Sequence, residues 1–348
     1  MTQVFITRFE PQAATRSQWT AYHAFRRARA AEDNPGEPVE SDADFEANVT
    51  RSWPLYQEAR FHAWAGNEIV AMLGYSYRRP GTPDYEDHAK HISVWSSVLQ
   101  PWRRQGIATR LLAKLPSILT ELDKSIVTIW TREPDGHAFL TTIGAEARHH
   151  HVENRLQLTQ VDWDEMDRWQ ARVGPEFKWE IHRERLPFSR MEEIIPEINR
   201  LADDVPIGTL DLPPFRWEMT GMRTYYEELD RHGGTHNIIL LKADGAIAAL
   251  CETGFDARRP DRVFQNLTAV ARPWRGRGLA KAVKAAMLKL MREQHPAASL
   301  MITGNAEANA PMLAINHKLG FKEHRSGASY QVGADAIRRY LAARNLSV

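Results

Sequence analysis

An eight-residue segment occurs twice in this chain, and that repeat constrains the fold more than any other feature. Pro101-Trp102-Arg103-Arg104-Gln105-Gly106-Ile107-Ala108 returns 172 positions later as Pro273-Trp274-Arg275-Gly276-Arg277-Gly278-Leu279-Ala280. Three further landmarks keep the same order and nearly the same spacing. Ile6-Thr7-Arg8 aligns with Ile181-His182-Arg183, Gly66-Asn67 with Asp244-Gly245, and Ile143-Gly144 with Leu319-Gly320. A period near half of the 348 residues far exceeds the ~20–50 residues of a solenoid unit and means two copies of one domain. At roughly 100–200 residues per domain the length accommodates both. The expected division is residues 1–161, a linker over 162–176, and residues 177–348. Asp162-Trp163-Asp164-Glu165 opens a short helix in the linker, and Gly174-Pro175 breaks it.

Local patterns agree between the copies. In the second, strands are expected at 178–183, 236–242, 246–253, 262–270 and 299–303, with one or two more over 321–332. Helices are expected at 191–202, despite Pro196, and at 216–231, 279–293 and 309–318. Asp244-Gly245 between two apolar runs is a hairpin signal. Leu279, Val283, Met287, Leu290 and Met291 share one helical face. The first copy repeats the order: a strand at 4–9, helices through Trp53, a hairpin over 60–77, a strand at 91–98, a helix after Gly106 and a strand at 125–131. The fold class is α/β, a mixed sheet with flanking helices, built twice.

The repeated segment joins a strand ending in Val98 or Val270 to a helix that opens after Gly106 or Gly278. The first N–H groups of a helix lack internal partners and carry the positive end of the dipole, which makes a phosphate site. Gly106 and Gly278 let a phosphate approach the backbone, and Arg103, Arg104, Arg275 and Arg277 add charge at the rim. The P-loop is excluded because no Gly-Lys-Ser/Thr follows. The dinucleotide fingerprint is excluded because neither copy has G-x-G-x-x-G.

Arg103-x-x-Gly106-x-Ala108 and Arg275-x-x-Gly278-x-Ala280 resemble the acyl-CoA signature of the GCN5-related N-acetyltransferase (GNAT) superfamily. Asn305, Asn309 and Lys318-Leu319-Gly320-Phe321 follow the second copy in the order of that family's later segments. The resemblance covers nearly the whole chain, once per half, and in plan is similar to tandem members such as mycothiol synthase. It implies two tandem acyl-CoA N-acyltransferase domains and acetyl-CoA as cosubstrate, with no metal. The backbone of Val98 and Val270 would bond the pantetheine arm. Arg103, Arg104, Gln105, Gly106, Ile107 and Ala108, and Arg275, Gly276, Arg277, Gly278, Leu279 and Ala280, would cradle the pyrophosphate. Asn305 belongs to the same cofactor set, and Asn309 would contact the pantetheine or help place the thioester. The reaction would be direct acetyl transfer to an amine, which asks the protein for proximity, a base and donors for the thioester oxygen.

The chain departs from the family pattern where many members carry a tyrosine as acid for the leaving thiolate. That position is Asn316 in the second half and Leu140 in the first. Tyr330 and Tyr340 are candidates by residue type alone. The first half has no counterparts of Asn305 and Asn309, so catalysis is expected in the second. Glu252, on the strand beside the cofactor strand, is the expected general base. The catalytic set is Glu252, Asn316 and Tyr330.

The 45 basic and 44 acidic side chains nearly cancel, so nothing drives the chain toward nucleic acid or an anionic membrane. No apolar run reaches the ~18 residues of a membrane span. The single cysteine, Cys251, cannot form an internal disulfide, and a reducing cytoplasm is the expected location. Cys251 itself reads as a buried thiol. His149 and His151 would share a strand face, yet no acidic or cysteine partner has metal-ligand spacing. Glu32, Asp33, Glu37, Glu40, Asp42, Asp44 and Glu46, and Asp203, Asp204 and Asp211 in the other half, would either steer a cationic acceptor or cap helices in solvated loops. Arg26-Arg27-Ala28-Arg29 reads as surface, and Trp102 and Trp274 as wedges under the cofactor turn. The acceptor is expected to be a small-molecule amine. The alternatives are a non-catalytic acyl-CoA-binding protein and a protein or peptide N-acetyltransferase. The sequence does not specify an oligomeric state.

Overall fold

The computed structural model describes residues 3–346. The first half runs β1 (Val4–Phe9), α1 (Arg16–Asp33), α2 (Asp42–Thr50), β2 (Tyr56–Ala65), β3 (Glu68–Arg78), α3 (Tyr85–His88), β4 (His91–Val98), α4 (Ile107–Leu112), α5 (Leu115–Glu121), β5 (Ile126–Thr131), α6 (Pro134–Thr142) and β6 (Glu146–Gln157). The second runs α7 (Trp163–Ala171), β7 (Lys178–His182), α8 (Phe188–Ala202), α9 (Met219–His232), β8 (Thr235–Ala243), β9 (Ala246–Phe255), β10 (Arg262–Val270), α10 (Leu279–Gln294), β11 (Leu300–Ala306), α11 (Ala310–Leu319), β12 (Lys322–Gly333) and α12 (Ala334–Ala342). Turn chemistry places the hairpins: Asp244 and Gly245 both adopt positive φ, 51° and 82°, as a two-residue hairpin loop requires. A capping box between Thr15 and Gln18 starts α1. Pro196 falls inside α8 on an exposed turn, where losing one backbone donor to solvent is tolerable.

The chain forms two compact units. One holds the chain up to Arg148, Leu210–Pro213 and the chain from Ala328; the other holds His149–Thr209 and Pro214–Gly327. The first unit's sheet has the order β1-β2-β3-β4-β5-β12, and the second unit's β7-β8-β9-β10-β11-β6. Each has one parallel pair, β4 with β5 and β10 with β11. The units thus differ from a division at 161 and 177 by an exchange of closing strands. Ala328–Gly333 of β12 pairs antiparallel with β5, and His151–Gln157 of β6 pairs antiparallel with β11. Nor is 162–176 a free tether: Met166 and Trp169 of α7 are buried in the second unit's core with Val283, Met287 and Met291 of α10.

Helices cover both faces of each sheet. In the first unit α4, α5 and α12 pack Ile107, Leu111, Leu115 and Ile337 on one face, while α1 and α2 pack Trp19, Tyr22, Phe25 and Val49 on the other. In the second, α7 and α10 cover one face, and α8 and α9 cover the other with Met191, Ile194, Ile198, Met222 and Tyr226. Cys251 is buried, as expected, and burial pushes its thiol up to about 11. No helix of the described residues is long and apolar enough to cross a membrane.

One residue in this core opposes folding at neutral pH. Lys284 of α10 is 2% exposed, and burial pushes its ammonium from 10.5 down to about 8, with the neighbouring Cys251 opposing. Below pH 8 both folded and unfolded chains carry the proton, and the folded chain bears the cost of a buried cation. Between about 8 and 10.5 the folded state binds fewer protons, so stability rises with pH. Lys284→Met is therefore expected to stabilise the protein at pH 7 by on the order of 3 kcal/mol. The gain should shrink through that window, as read by urea unfolding at pH 7, 9 and 10.5.

Candidate functional site

The two repeated turns share one backbone plan. Gly106 and Gly278 are the N-caps of α4 and α10, at φ 75° and 78°, with no side-chain cap and no acidic residue in the first turn. A Cβ at Gly106, Gly276 or Gly278 would meet nothing within 4 Å, so space above each loop is open. The first intrahelical bond of α10 runs from Ala282 N–H to Gly278 O, leaving the N–H groups of Leu279, Ala280 and Lys281 outside the ladder. Leu279 and Ile107 bury their side chains, which anchors the helix starts beneath the loops. These features fit the diphosphate of an acyl-CoA.

The copies are not equal. α10 continues unbroken for 16 residues, whereas α4 stops after 6, with Pro116 in the first turn of the next helix. The other left-handed position of the turn is Gly276 at φ 79° in the second half but Arg104 at φ 62° in the first, where a Cβ is strained.

Arg103 and Arg275 brace the turns. Each donates through Nε to the strand-ending valine carbonyl at 3.1 Å, Arg103 to Val98 and Arg275 to Val270. Their guanidinium groups reach Glu32 at 3.3 Å and Asp204 at 2.6 Å. Arg277 lies over the Trp274 ring at 4.8 Å, and Gln105 donates to the Pro101 carbonyl. Trp274 packs against Phe177 as a wedge, and Trp102 packs against the first unit's core.

Beyond the turns, β10 has an edge without a strand partner among the described residues. Its pairing with β11 ends at Gln265 opposite Thr303, while β10 continues to Val270. β4 likewise outruns its pairing with β5, which ends at Val94 opposite Ile129. Ala271 N–H bonds back to Ala248 on β9. By strand alternation, the Val270 backbone points the other way, where an extended chain can add.

Glu252, on β9, lies beside an irregularity in β10. The β9–β10 register shifts between Gln265 and Thr268, a bulge that the sequence did not announce. Glu252 is 7% exposed, and its Oε1 accepts from the Leu267 N–H in the bulge at 3.3 Å. Its Oε2 lies 3.4 Å from His236 Nε2 on β8. His236 Nδ1 is 3.2 Å from the Tyr226 hydroxyl of α9, which also accepts from Leu186 N–H at 3.0 Å. Trp217 and Tyr225 rings pack on His236 at 5.6 and 5.3 Å. Burial, reinforced by the Glu252 charge, holds the Tyr225 hydroxyl well above its ordinary range.

The first unit lacks this group. Ala71 pairs with Val98 as Ala249 pairs with Val270; counting along the strands places Gly74 at the position of Glu252 and Glu58 at that of His236. β4 has no bulge here, and Trp95 pairs directly opposite Gly74. Its indole occupies the space that any Cβ on Gly74 would enter.

The remaining expected residues divide. Asn316 is buried on α11 and donates through Nδ2 to Asn305 Oδ1 on β11 at 2.7 Å, leaving its own Oδ1 without a partner among the described residues. Asn309 caps α11, accepting from Met312 N–H at 3.4 Å. Tyr330 is not brought to Glu252 and Asn316. It lies in the other unit, where it pairs with Ile129 of β5 and bonds His137 at 2.9 Å, because β12 closes that sheet. Tyr340 is in that unit too, against Thr109.

The acidic loops do not form a free negative field. Asp42 binds Arg27 at 2.9 Å, Glu46 binds His23 at 2.8 Å, Asp33 pairs with Arg29, and Asp203 pairs with Arg216. Asp204 binds Arg272 and Arg275, and the Arg272 hydrogen bond holds its carboxyl below the usual range against some burial. Arg26, expected at the surface, stacks on Phe45 at 3.6 Å with its side chain 11% exposed. His149 and His151 rings are 6.2 Å apart, and no group of three or more metal-ligand residues is found among the described residues. Sequence reasoning missed His236, Tyr226 and Leu267. A histidine in a strand and a tyrosine on a helix carry no signal until packing joins them.

Comparison with known proteins follows the same duplication. The model of the Acetyltransferase (GNAT) family matches residues 21–140 and again 197–321. Among solved structures, the chain is similar to a tandem GNAT protein from the clavulanic acid biosynthesis pathway, with a TM-score of 0.70 and 20% identity over 95% of this chain and 99% of that one. It is also similar to a GCN5-related N-acetyltransferase from Sphaerobacter thermophilus, with a TM-score of 0.63 and 16% identity over 95% and 96%. At these identities the likeness is one of fold. No curated protein matches the chain significantly in sequence.

Proposed function

Because the chain belongs to the GNAT acetyltransferase family and carries its domain twice, we propose that it transfers an acetyl group from acetyl-CoA to the primary amine of a small molecule, with its working site in the second half. One observation carries the choice of half: a buried carboxylate stands at a bulge beside the free edge of β10 in the second unit, and the first unit has glycine under an indole at that place. The first half supports fold or cofactor binding without chemistry of its own.

Acetyl-CoA supplies an activated acyl group, and the chain's residues do the rest. The N–H groups that open α10, with Gly276, Gly278 and Arg277, receive the diphosphate. The unpaired edge of β10 at Val270 aligns the pantetheine arm. Glu252 Oε2 takes a proton from the acceptor's ammonium, freeing its lone pair to attack. A new C–N bond forms as the C–S bond breaks; CoA leaves as its thiolate, which takes up the second proton shed by the acylated nitrogen. Asn316 is no acid, and its amide serves as a hydrogen-bonding group. A cytoplasmic location suits a chain with one buried thiol.

The test is release of free thiol from acetyl-CoA in the presence of a panel of primary amines, with mass spectrometry of the products. Amine-dependent release with an N-acetylated product supports the reading. Tight acetyl-CoA binding without any amine-dependent release sinks it in favour of a non-catalytic binder, and modification of peptides alone redirects it to a protein acceptor.

A further inference from the structure

We propose that Tyr226 and His236 are positioning residues that hold Glu252 as a base, Tyr226 by its hydrogen-bond contact with His236 and His236 by a buried ion-pair-range contact with the carboxylate. The inference rests on the reading of the second half as an amine acyltransferase. Its geometry draws on five places in the fold, joined by four contacts. Leu186 N–H, ahead of α8, donates to the Tyr226 hydroxyl at 3.0 Å. The hydroxyl lies 3.2 Å from His236 Nδ1. His236 Nε2 lies 3.4 Å from Glu252 Oε2. Leu267 N–H, in the β10 bulge, meets Glu252 Oε1 at 3.3 Å.

These contacts have one consistent sense. If His236 carried its proton on Nδ1, the Nε2 lone pair would face the carboxylate, a repulsion in a site from which water is excluded. With the proton on Nε2, the imidazole turns an N–H edge toward the Glu252 carboxylate 3.4 Å away, and Tyr226 donates to Nδ1 while accepting from Leu186. Burial pushes the Tyr226 hydroxyl up to about 12, which keeps it a donor. The Arg185 guanidinium, 4.9 Å from the Tyr226 ring, and the Tyr225 and Trp217 rings beside His236 complete its surroundings. Oε1 is satisfied by the bulge. Oε2 has the 3.4 Å contact with His236 Nε2 and no hydrogen-bond partner among the described residues. Oε2 is therefore the atom with capacity left for a proton.

A purely structural role does not account for this arrangement. The first unit builds the same sheet with Glu58 and Gly74 at the two positions, Glu58 exposed and paired with Arg60 and Gly74 covered by the Trp95 indole, without any such arrangement. Burying a histidine at 1% exposure and a carboxylate at 7% costs desolvation that an apolar pair would avoid.

The test compares wild type with His236→Leu, His236→Gln, Tyr226→Phe, Glu252→Gln and the His236→Leu/Glu252→Gln double variant on an amine that wild type acetylates. His236→Leu is expected to lower kcat on the order of 10²-fold, and Tyr226→Phe about tenfold. Acetyl-CoA affinity by calorimetry should be unchanged in both. His236→Gln, which keeps an N–H facing Oε2, should recover most of the loss. The double variant should be no slower than Glu252→Gln alone, because His236 acts only through that carboxylate. Should His236→Leu fail to fold, Tyr226→Phe carries the same comparison with its shape preserved. Wild-type kcat in a folded His236→Leu or in Tyr226→Phe, or losses that multiply in the double variant, overturns the inference alone. Absence of amine turnover by wild type overturns the acyl-transfer reading, and this inference with it.

Discussion

Gly278→Glu should abolish acetyl-CoA binding by the second half. Three effects act together. The new side chain enters the open space above the loop, where a Cβ now meets nothing within 4 Å. Its carboxylate stands where the unbonded N–H groups of α10 would meet a diphosphate. At an effective dielectric of ~20, each like-charge pair at ~4 Å costs about 4 kcal/mol. Position 278 also sits at φ 78°, a conformation that costs a side chain roughly 1–2 kcal/mol. Gly278→Ala separates the backbone term: calorimetry should show at most about a tenfold weakening for alanine and loss of at least ~10²-fold for glutamate. Gly106→Glu, made in parallel, decides the first half. Unchanged binding there means that the first half is scaffold. Two wild-type sites, one removed by each glutamate, mean that both halves hold cofactor. Full affinity in Gly278→Glu would remove the α10 start from the cofactor site.

Glu252→Gln should lower kcat by about 10²–10⁴-fold with acetyl-CoA affinity unchanged. The amide is nearly isosteric. Its carbonyl can still accept from Leu267 N–H, as Glu252 Oε1 does at 3.3 Å, so the bulge should survive and the melting temperature should barely move. What is lost is the capacity to take a proton from an ammonium. Steady-state kinetics on any accepted amine, with circular dichroism as the folding control, reads this directly. A kcat within about threefold of wild type would mean that this carboxylate is not the base, and the acceptor would have to be deprotonated elsewhere.

Much of the site was legible because its determinants are local. Gly106 and Gly278 as left-handed caps, the strand ends at Val98 and Val270, and the amphipathic start of α10 all follow from residues within a few positions of each other. β1 and β4 fall on the stretches expected from their patterning. Glu252 could be named from its strand. The reason it is placed as it is could not, since that depends on a bulge in β10, a histidine on β8 and a tyrosine on α9. The acidic loops stayed open between a steering field and solvated helix caps for a related reason. Asp204 reads as free charge until the fold brings Arg272 and Arg275 to it. Tyr330, a candidate by residue type alone, lies in the other unit because β12 closes that unit's sheet, which no local pattern indicates.

By itself, then, the sequence determined the duplicated domain, the alternation of strands and helices, and the two turns where a helix start faces open space. These are outcomes of backbone preference and side-chain periodicity, both short-range. Only the tertiary structure decided which closing strand completes which sheet, which arginines are tied to carboxylates, and that a carboxylate, an imidazole and a phenol meet in one half while an indole fills the same place in the other. Those outcomes depend on contacts between residues far apart in sequence, such as Trp95 over Gly74 and His236 beside Glu252. Pairing energies of that kind arise only after the chain has closed its loops and excluded water, so no local window of sequence contains them.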